Sequence, residues 1–247
     1  MRKSPVDYKY IKYTVVGSIM CGILISSPLF GEAAKSLWKG HANSPKIALT
    51  FDDGPKPLYL RPILDILKKH DVQATFFVVA REAERYPRLI KRLISEGHEV
   101  GNHTYSHPRL DRIPTKDIEG EIKSASSSIS KLTGKKVIYF RPPGGHYNKL
   151  ISSVVRENQM ITVFWSINAG DYTTFTSNPS KNGYITYYSK SEAQIYSDVV
   201  QKTVPGSIIL FHSTKETIKA LPRIIHAFKE RGLEMATIST LRQNDIQ

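Results

Sequence analysis

Cysteine is almost missing from this chain: there is one, Cys21, in 247 residues. An intrachain disulfide is excluded, and so is a cysteine metal cluster, so any metal must be held by histidine, aspartate or glutamate. Long apolar runs are equally scarce. The one candidate is TVVGSIMCGILISSPLF, Thr14–Phe30, 17 residues without a charge. The chain also has no tandem repeat, no long basic low-complexity run and no nucleic-acid motif, so nucleic acid is not an expected partner.

The apolar run follows Arg2, Lys3, Lys9 and Lys12, which marks a targeting segment whose basic flank stays cytoplasmic. Its length lies between a signal-peptide core and a full membrane span. An uncleaved N-terminal anchor is the favoured fate, cleavage near the small residues of GEAAKS the second, and a buried soluble helix a distant third. Cys21 follows SIM, a poor lipoprotein signal. Residues 1–34 are thus read as the targeting segment, 35–45 as a connector and 46–247 as one catalytic domain working outside the cytoplasm. Of the 35 basic and 22 acidic residues, four and two fall in 1–34, which leaves 31 against 20, or +11, on the exported part. That balance suits anionic wall polymers, or is simply a solvated basic surface.

What is present is an alternation. KIALTF, ATFFVVA, HEVGNH, VIYFRPPGG, MITVFWSI, SIILFH and LEMATI read as strands. Between them lie helical patterns: PLYLRPILDILKKH, YPRLIKRLISEG, TKDIEGEIKSASSSISKLTG, and segments near Lys149–Glu157, Glu192–Thr203 and Leu221–Arg231. Strand and helix in turn predict parallel strands joined by crossover helices, as a barrel or an open sheet. Asp52, Asp53, His103, Arg141, Asp171 and His212 all fall at or just after strand C-termini. In a parallel barrel those ends share the face on which active sites are built.

Two adjacent carboxylates close the run KIALTFDDGP. Neighbours at a strand end point in different directions, so Asp52 and Asp53 are able to serve different partners; Asp, Gly and Pro together also make an ordinary turn. In GNHTYSHP, His103 and His107 stand four apart, a spacing that lets both imidazoles meet one ion if the segment makes a helical turn, or that merely caps locally. With Asp53 they would make a site of two histidines and one carboxylate that leaves positions open for water and substrate.

The ordered set TFDDGP, HTYSH, FRPPGG, WSINAGDY and ILFH resembles the polysaccharide deacetylase family, carbohydrate esterase family four, from about Lys46 to the C-terminus. The resemblance implies an irregular (β/α) barrel with fewer than eight strands, and metal-dependent hydrolysis of the acetamide of N-acetylglucosamine-type sugars in an extracytoplasmic polysaccharide, with peptidoglycan the favoured glycan. An O-acetyl glycan esterase and a non-catalytic wall-binding protein are the alternatives. It further implies that Asp53, His103 and His107 hold one divalent ion, for which zinc is favoured and cobalt, nickel or manganese would serve. Asp52 would be the base, paired with Arg141, and His212 the acid, held by Asp171. The Gly144 N–H would stabilise the oxyanion, and Leu210 would face the acetyl methyl. The chain departs from the family at Gly144 and Tyr172, where the family often has an aromatic residue and tryptophan, and at Asn168, often aspartate. Residues 173–197 read as a long insertion with little helix, whose tyrosines either wall the sugar site or pack the loop. His146 is read as a possible cleft residue; His41, His70, His98 and His226 as surface or packing residues; Phe164 and Trp165 as core.

Overall fold

The computed structural model describes residues 36–176, 185–188 and 190–243, with backbone only at 173–176 and 185–188. The targeting run, Cys21 and Tyr184 lie outside the described residues, as do the side chains of Phe175, Tyr187 and Tyr188.

Seven parallel strands form a curved sheet. In chain order these are β1 (Lys46–Gly54), β2 (Thr75–Val78), β3 (Glu99–Asn102), β4 (Tyr139–Phe140), β5 (Ile161–Thr162), β6 (Ile167–Asn168) and, beyond a two-stranded antiparallel hairpin of β7 (Thr173–Thr176) and β8 (Ile185–Tyr188), β9 (Ile208–His212). Their spatial order is β5-β4-β3-β2-β1-β9-β6. A short strand, β10 (Glu234–Ala236), lies off this path and pairs with the start of β1, on the edge that β2 uses further along. Helices α1 (Pro57–Lys69), α2 (Ala80–Arg85), α3 (Pro87–Ser95), α4 (Thr115–Thr133), α5 (Lys149–Glu157), α6 (Glu192–Lys202) and α7 (Lys215–Glu230) connect the strands, and α8 (Ile238–Arg242) follows β10.

Period-two alternation sorts β1 into two faces. Ile47, Leu49 and Phe51 join the large core beneath the helices, where α1 buries Leu60, Ile63, Leu64 and Leu67 at helical spacing. Ala48 joins a second core inside the barrel with Phe77, Tyr139, Val163 and Ile208, to which α8 adds Ile238 and Leu241. Gly101 is required by that interior, since a Cβ there would stand 2.6 Å from the Phe77 ring.

The expected single strand MITVFWSI is instead two short pieces that pair at opposite ends of the sheet. β5 bonds to β4 and β6 to β9, so residues 161–168 cross from one edge to the other and close the arc. The connector helps at this seam: Leu37 bridges to Val163, and the Gly40 N–H donates to the Gly206 carbonyl at 2.8 Å. Other boundaries also differ from expectation. FRPPGG leaves the sheet after Phe140 because Pro142 and Pro143 have no N–H to give, and a 3-10 turn follows at Pro143–Gly145. α7 begins at Lys215 rather than Leu221, with the Thr214 hydroxyl accepting from the Thr217 N–H. The 173–197 stretch is less irregular than expected, holding the β7–β8 hairpin, while α6 begins at Glu192 as expected, behind a Ser191–Gln194 capping box.

Candidate active site

The C-terminal end of β1 sends its two carboxylates to different neighbours. Asp52 continues the inward face of Ala48 and Thr50 and is 4% exposed. Its Oδ1 accepts from Arg141 Nη1 at 2.8 Å. Asp53 has a left-handed backbone, φ 66°, and its Oδ1 lies 3.4 Å from His103 Nε2 and 3.1 Å from His107 Nε2. One ligand atom from each of Asp53, His103 and His107 falls within 4.8 Å of the others. Burial alone would raise the Asp53 pKa, but the two imidazoles against it hold the carboxyl well below the usual range. His103 Nδ1 is 2.8 Å from the Arg141 carbonyl, to which it donates as N–H, so in the neutral ring Nε2 is the nitrogen left with a lone pair for an ion. The His103–His107 segment is not a helical turn, because Thr104 and His107 have φ values of 68° and 66°. The imidazoles meet across a tight loop.

Arg141 is fully buried. Its Nε donates to the Val163 carbonyl at 3.1 Å and its Nη2 to the Phe164 carbonyl at 3.0 Å, on the segment that crosses the seam. Nη1 also reaches the Thr50 hydroxyl at 2.8 Å, which in turn donates to the Ile209 carbonyl. Burial pulls the guanidinium pKa down and Asp52 opposes it. The same side chain therefore satisfies strand carbonyls and fixes Asp52, which ties the closure of the barrel to the site.

On the opposite side, buried Asp171 holds His212. Its Oδ1 is 3.0 Å from His212 Nδ1, and its Oδ2 accepts the His212 N–H and the Thr217 hydroxyl, each at 2.6 Å. Burial by itself would lower the His212 pKa. The hydrogen bond and charge of Asp171, with Asp52 and Asp53 further off, outweigh it and raise the pKa above its ordinary value. The turn that delivers Asp171 is shaped by Asn168, whose Oδ1 accepts the Gly170 N–H at 2.8 Å. The Tyr172 ring is half-exposed, 5.2 Å from that of His212. Leu210 is buried on the inward face of β9, between Ile208 and His212.

Gly144 is exposed, with φ 62°. The Gly145 and His146 N–H groups are taken by the Pro142 and Pro143 carbonyls. The Gly144 N–H has no protein acceptor among the described residues, so it is available as a donor. A Cβ on Gly144 would stand 3.0 Å from the His146 ring, which fills the space beside it and lies 3.4 Å from Arg109 Nη2.

The structure thus brings together Asp52, Asp53, His103, His107, Arg141, Asp171 and His212, with Tyr172 flanking His212. Of the remaining histidines, His98 packs on Phe76 with its pKa lowered to about 4 by burial, and His41 and His226 are on the surface. Phe164 is buried under Trp38, and Trp165 faces the interior beside Arg141. Sequence reasoning missed Thr50, Thr217, Glu121 and Lys56, whose Nζ lies 3.8 Å from Asp53 Oδ2. Thr50 alone was within reach of it, two residues before Asp52 on the same strand face.

A sequence model of the polysaccharide deacetylase family matches residues 39–163. The chain is 32% identical to a peptidoglycan-N-acetylglucosamine deacetylase of Bacillus cereus, over 83% of this chain and 71% of that one. It is 31% identical to a peptidoglycan-N-acetylmuramic acid deacetylase of Bacillus subtilis, over 85% and 76%. Among solved structures it resembles a carbohydrate esterase family four pseudoenzyme from Bacillus anthracis, with a TM-score of 0.74, 30% identity, and coverage of 85% of this chain and 69% of that one.

Proposed function

The chain belongs to the polysaccharide deacetylase family, and from that premise we propose that it removes N-acetyl groups from the amino sugars of peptidoglycan outside the cytoplasm. The observation that carries this reading is the division of labour at Asp52 and Asp53: one carboxylate faces two imidazoles while its neighbour is held apart by a buried arginine.

One carboxylate and two imidazoles, with the His103 tautomer set by the Arg141 carbonyl, fit a divalent ion of the zinc class. Cobalt, nickel or manganese would suit the same donors. Such an ion supplies Lewis-acid polarisation of the acetyl carbonyl and activation of a water. Asp52, held by the 2.8 Å bond from Arg141 Nη1, accepts the proton of the attacking water. The Gly144 N–H donates to the carbonyl oxygen as it becomes an oxyanion. His212, protonated on Nε2 and anchored through Nδ1 by Asp171, gives a proton to the departing amine. Leu210 and Tyr172 shape the acetyl and sugar side of the cleft.

The extracytoplasmic setting and an N-terminal membrane anchor rest on the basic flank and apolar run Thr14–Phe30. Acetate release is the test, measured on peptidoglycan, chitooligosaccharide and acetylated xylan with zinc supplied. Release from peptidoglycan with exposure of free amines supports the proposal. Release from xylan alone would mark an O-acetyl esterase, and release from none a pseudoenzyme like the Bacillus anthracis relative.

A further inference from the structure

The loop that carries both histidine ligands is held in an unfavourable shape. Thr104, a β-branched residue, and His107 both adopt left-handed φ, a conformation that such side chains resist and that persists only where surroundings enforce it. Local bonds contribute: the Thr104 hydroxyl accepts the His107 N–H at 3.0 Å, and Asn102 Oδ1 accepts the Thr104 N–H at 2.7 Å. The loop carbonyls are taken by the first turn of α2, where the Ala80 and Arg81 N–H groups donate to Thr104 and Tyr105 at 3.0 Å each. The loop amides are taken by one side chain on another element. Glu121 Oε2, from α4, accepts the Tyr105 and Ser106 N–H groups at 2.9 and 2.8 Å, and its Oε1 accepts the Ser106 hydroxyl at 2.6 Å.

We propose that Glu121 is a positioning residue for the metal triad: by clamping the Tyr105 and Ser106 amides it fixes the distance between His103 and His107 before any ion binds. The proposal rests on reading Asp53, His103 and His107 as ligands. Glu121 is half-buried and touches neither imidazole, so its influence runs through the backbone. Two ring nitrogens that must meet one ion within tenths of an ångström depend on that backbone. The carboxylate works here as a geometric acceptor rather than as a charge. Glutamine can reproduce all three contacts, with Oε1 accepting both amides and Nε2 donating to a rotated Ser106 hydroxyl. Aspartate keeps the charge but is one methylene too short to reach.

The test is zinc affinity by chelator competition on the full chain, together with the visible absorption of the cobalt-loaded protein and melting of the metal-free form. Glu121→Ala and Glu121→Asp should bind zinc roughly 10–100-fold more weakly, as expected for lost outer-shell support, with altered cobalt bands. Glu121→Gln should retain near wild-type affinity and spectrum. Should Glu121→Ala fail to fold, the Asp and Gln pair carries the test. Affinity that follows charge, weak in Gln and normal in Asp, would overturn the proposal, and so would unchanged affinity in both Ala and Asp while the triad reading stands. A wild-type protein that binds no ion would remove the triad and the proposal together.

Discussion

Asp171→Asn isolates what the buried carboxylate does for His212. Asp171 makes a charge-assisted contact of 3.0 Å to His212 Nδ1, and such bonds contribute about 1.5–3 kcal/mol. Losing it removes the main support for the imidazolium and lowers the His212 pKa. The wild-type pKa is raised above 6.5, so the protonated acid persists above that pH and is lost as pH rises through the folded value. The alkaline limb of the activity profile should therefore move down in the mutant, while the acid limb, which does not depend on His212, stays. A second effect lowers the plateau. Oδ2 accepts two donors, so an asparagine would place its oxygen there and turn its NH2 toward Nδ1, favouring the wrong tautomer of a neutral ring. The assay is kcat/KM for acetate release from pH 5 to 10, beside the melting temperature of each variant. An alkaline limb that does not move in a folded mutant would refute the assignment of Asp171 to His212.

Three further outcomes follow from the same geometry. His107→Ala leaves two ligands and should lose bound metal and activity together, which metal analysis of the dialysed protein checks. Arg141→Met strands Asp52 without its buried partner and frees the Val163 and Phe164 carbonyls; urea denaturation should show a loss of about 3–5 kcal/mol. Gly206→Ala puts a Cβ at φ 81°, 2.4 Å from the Gly40 carbonyl oxygen, and should destabilise by at least about 1–2 kcal/mol while leaving metal binding intact.

Much of this site was legible because its residues end apolar runs. The strand pattern placed Asp52, Asp53, His103, Arg141, Asp171 and His212 on one rim, and the structure brings them together. The seam was not legible. Met160–Ile167 reads as one apolar strand, and nothing local marks where pairing passes from β4 to β9, since that depends on the rest of the sheet. The spacing of the histidines leaves the shape of their loop open, because Thr104 gives no warning of a left-handed backbone, as a glycine would. Glu121 and Thr217 were invisible for a different reason. A single polar residue on an amphipathic helix looks like part of a solvated face until the fold sets it against Ser106 or Asp171.

The division of labour between the adjacent aspartates is the centre of the account, and paired metal analysis and acetate release on Asp52→Asn and Asp53→Asn test it most directly. Asp52→Asn should keep one bound ion per chain while turnover falls by roughly 10²–10⁴-fold, as for a lost general base. Asp53→Asn should lose the ion. Loss of metal in Asp52→Asn, or near-normal turnover there with the ion retained, would contradict the account.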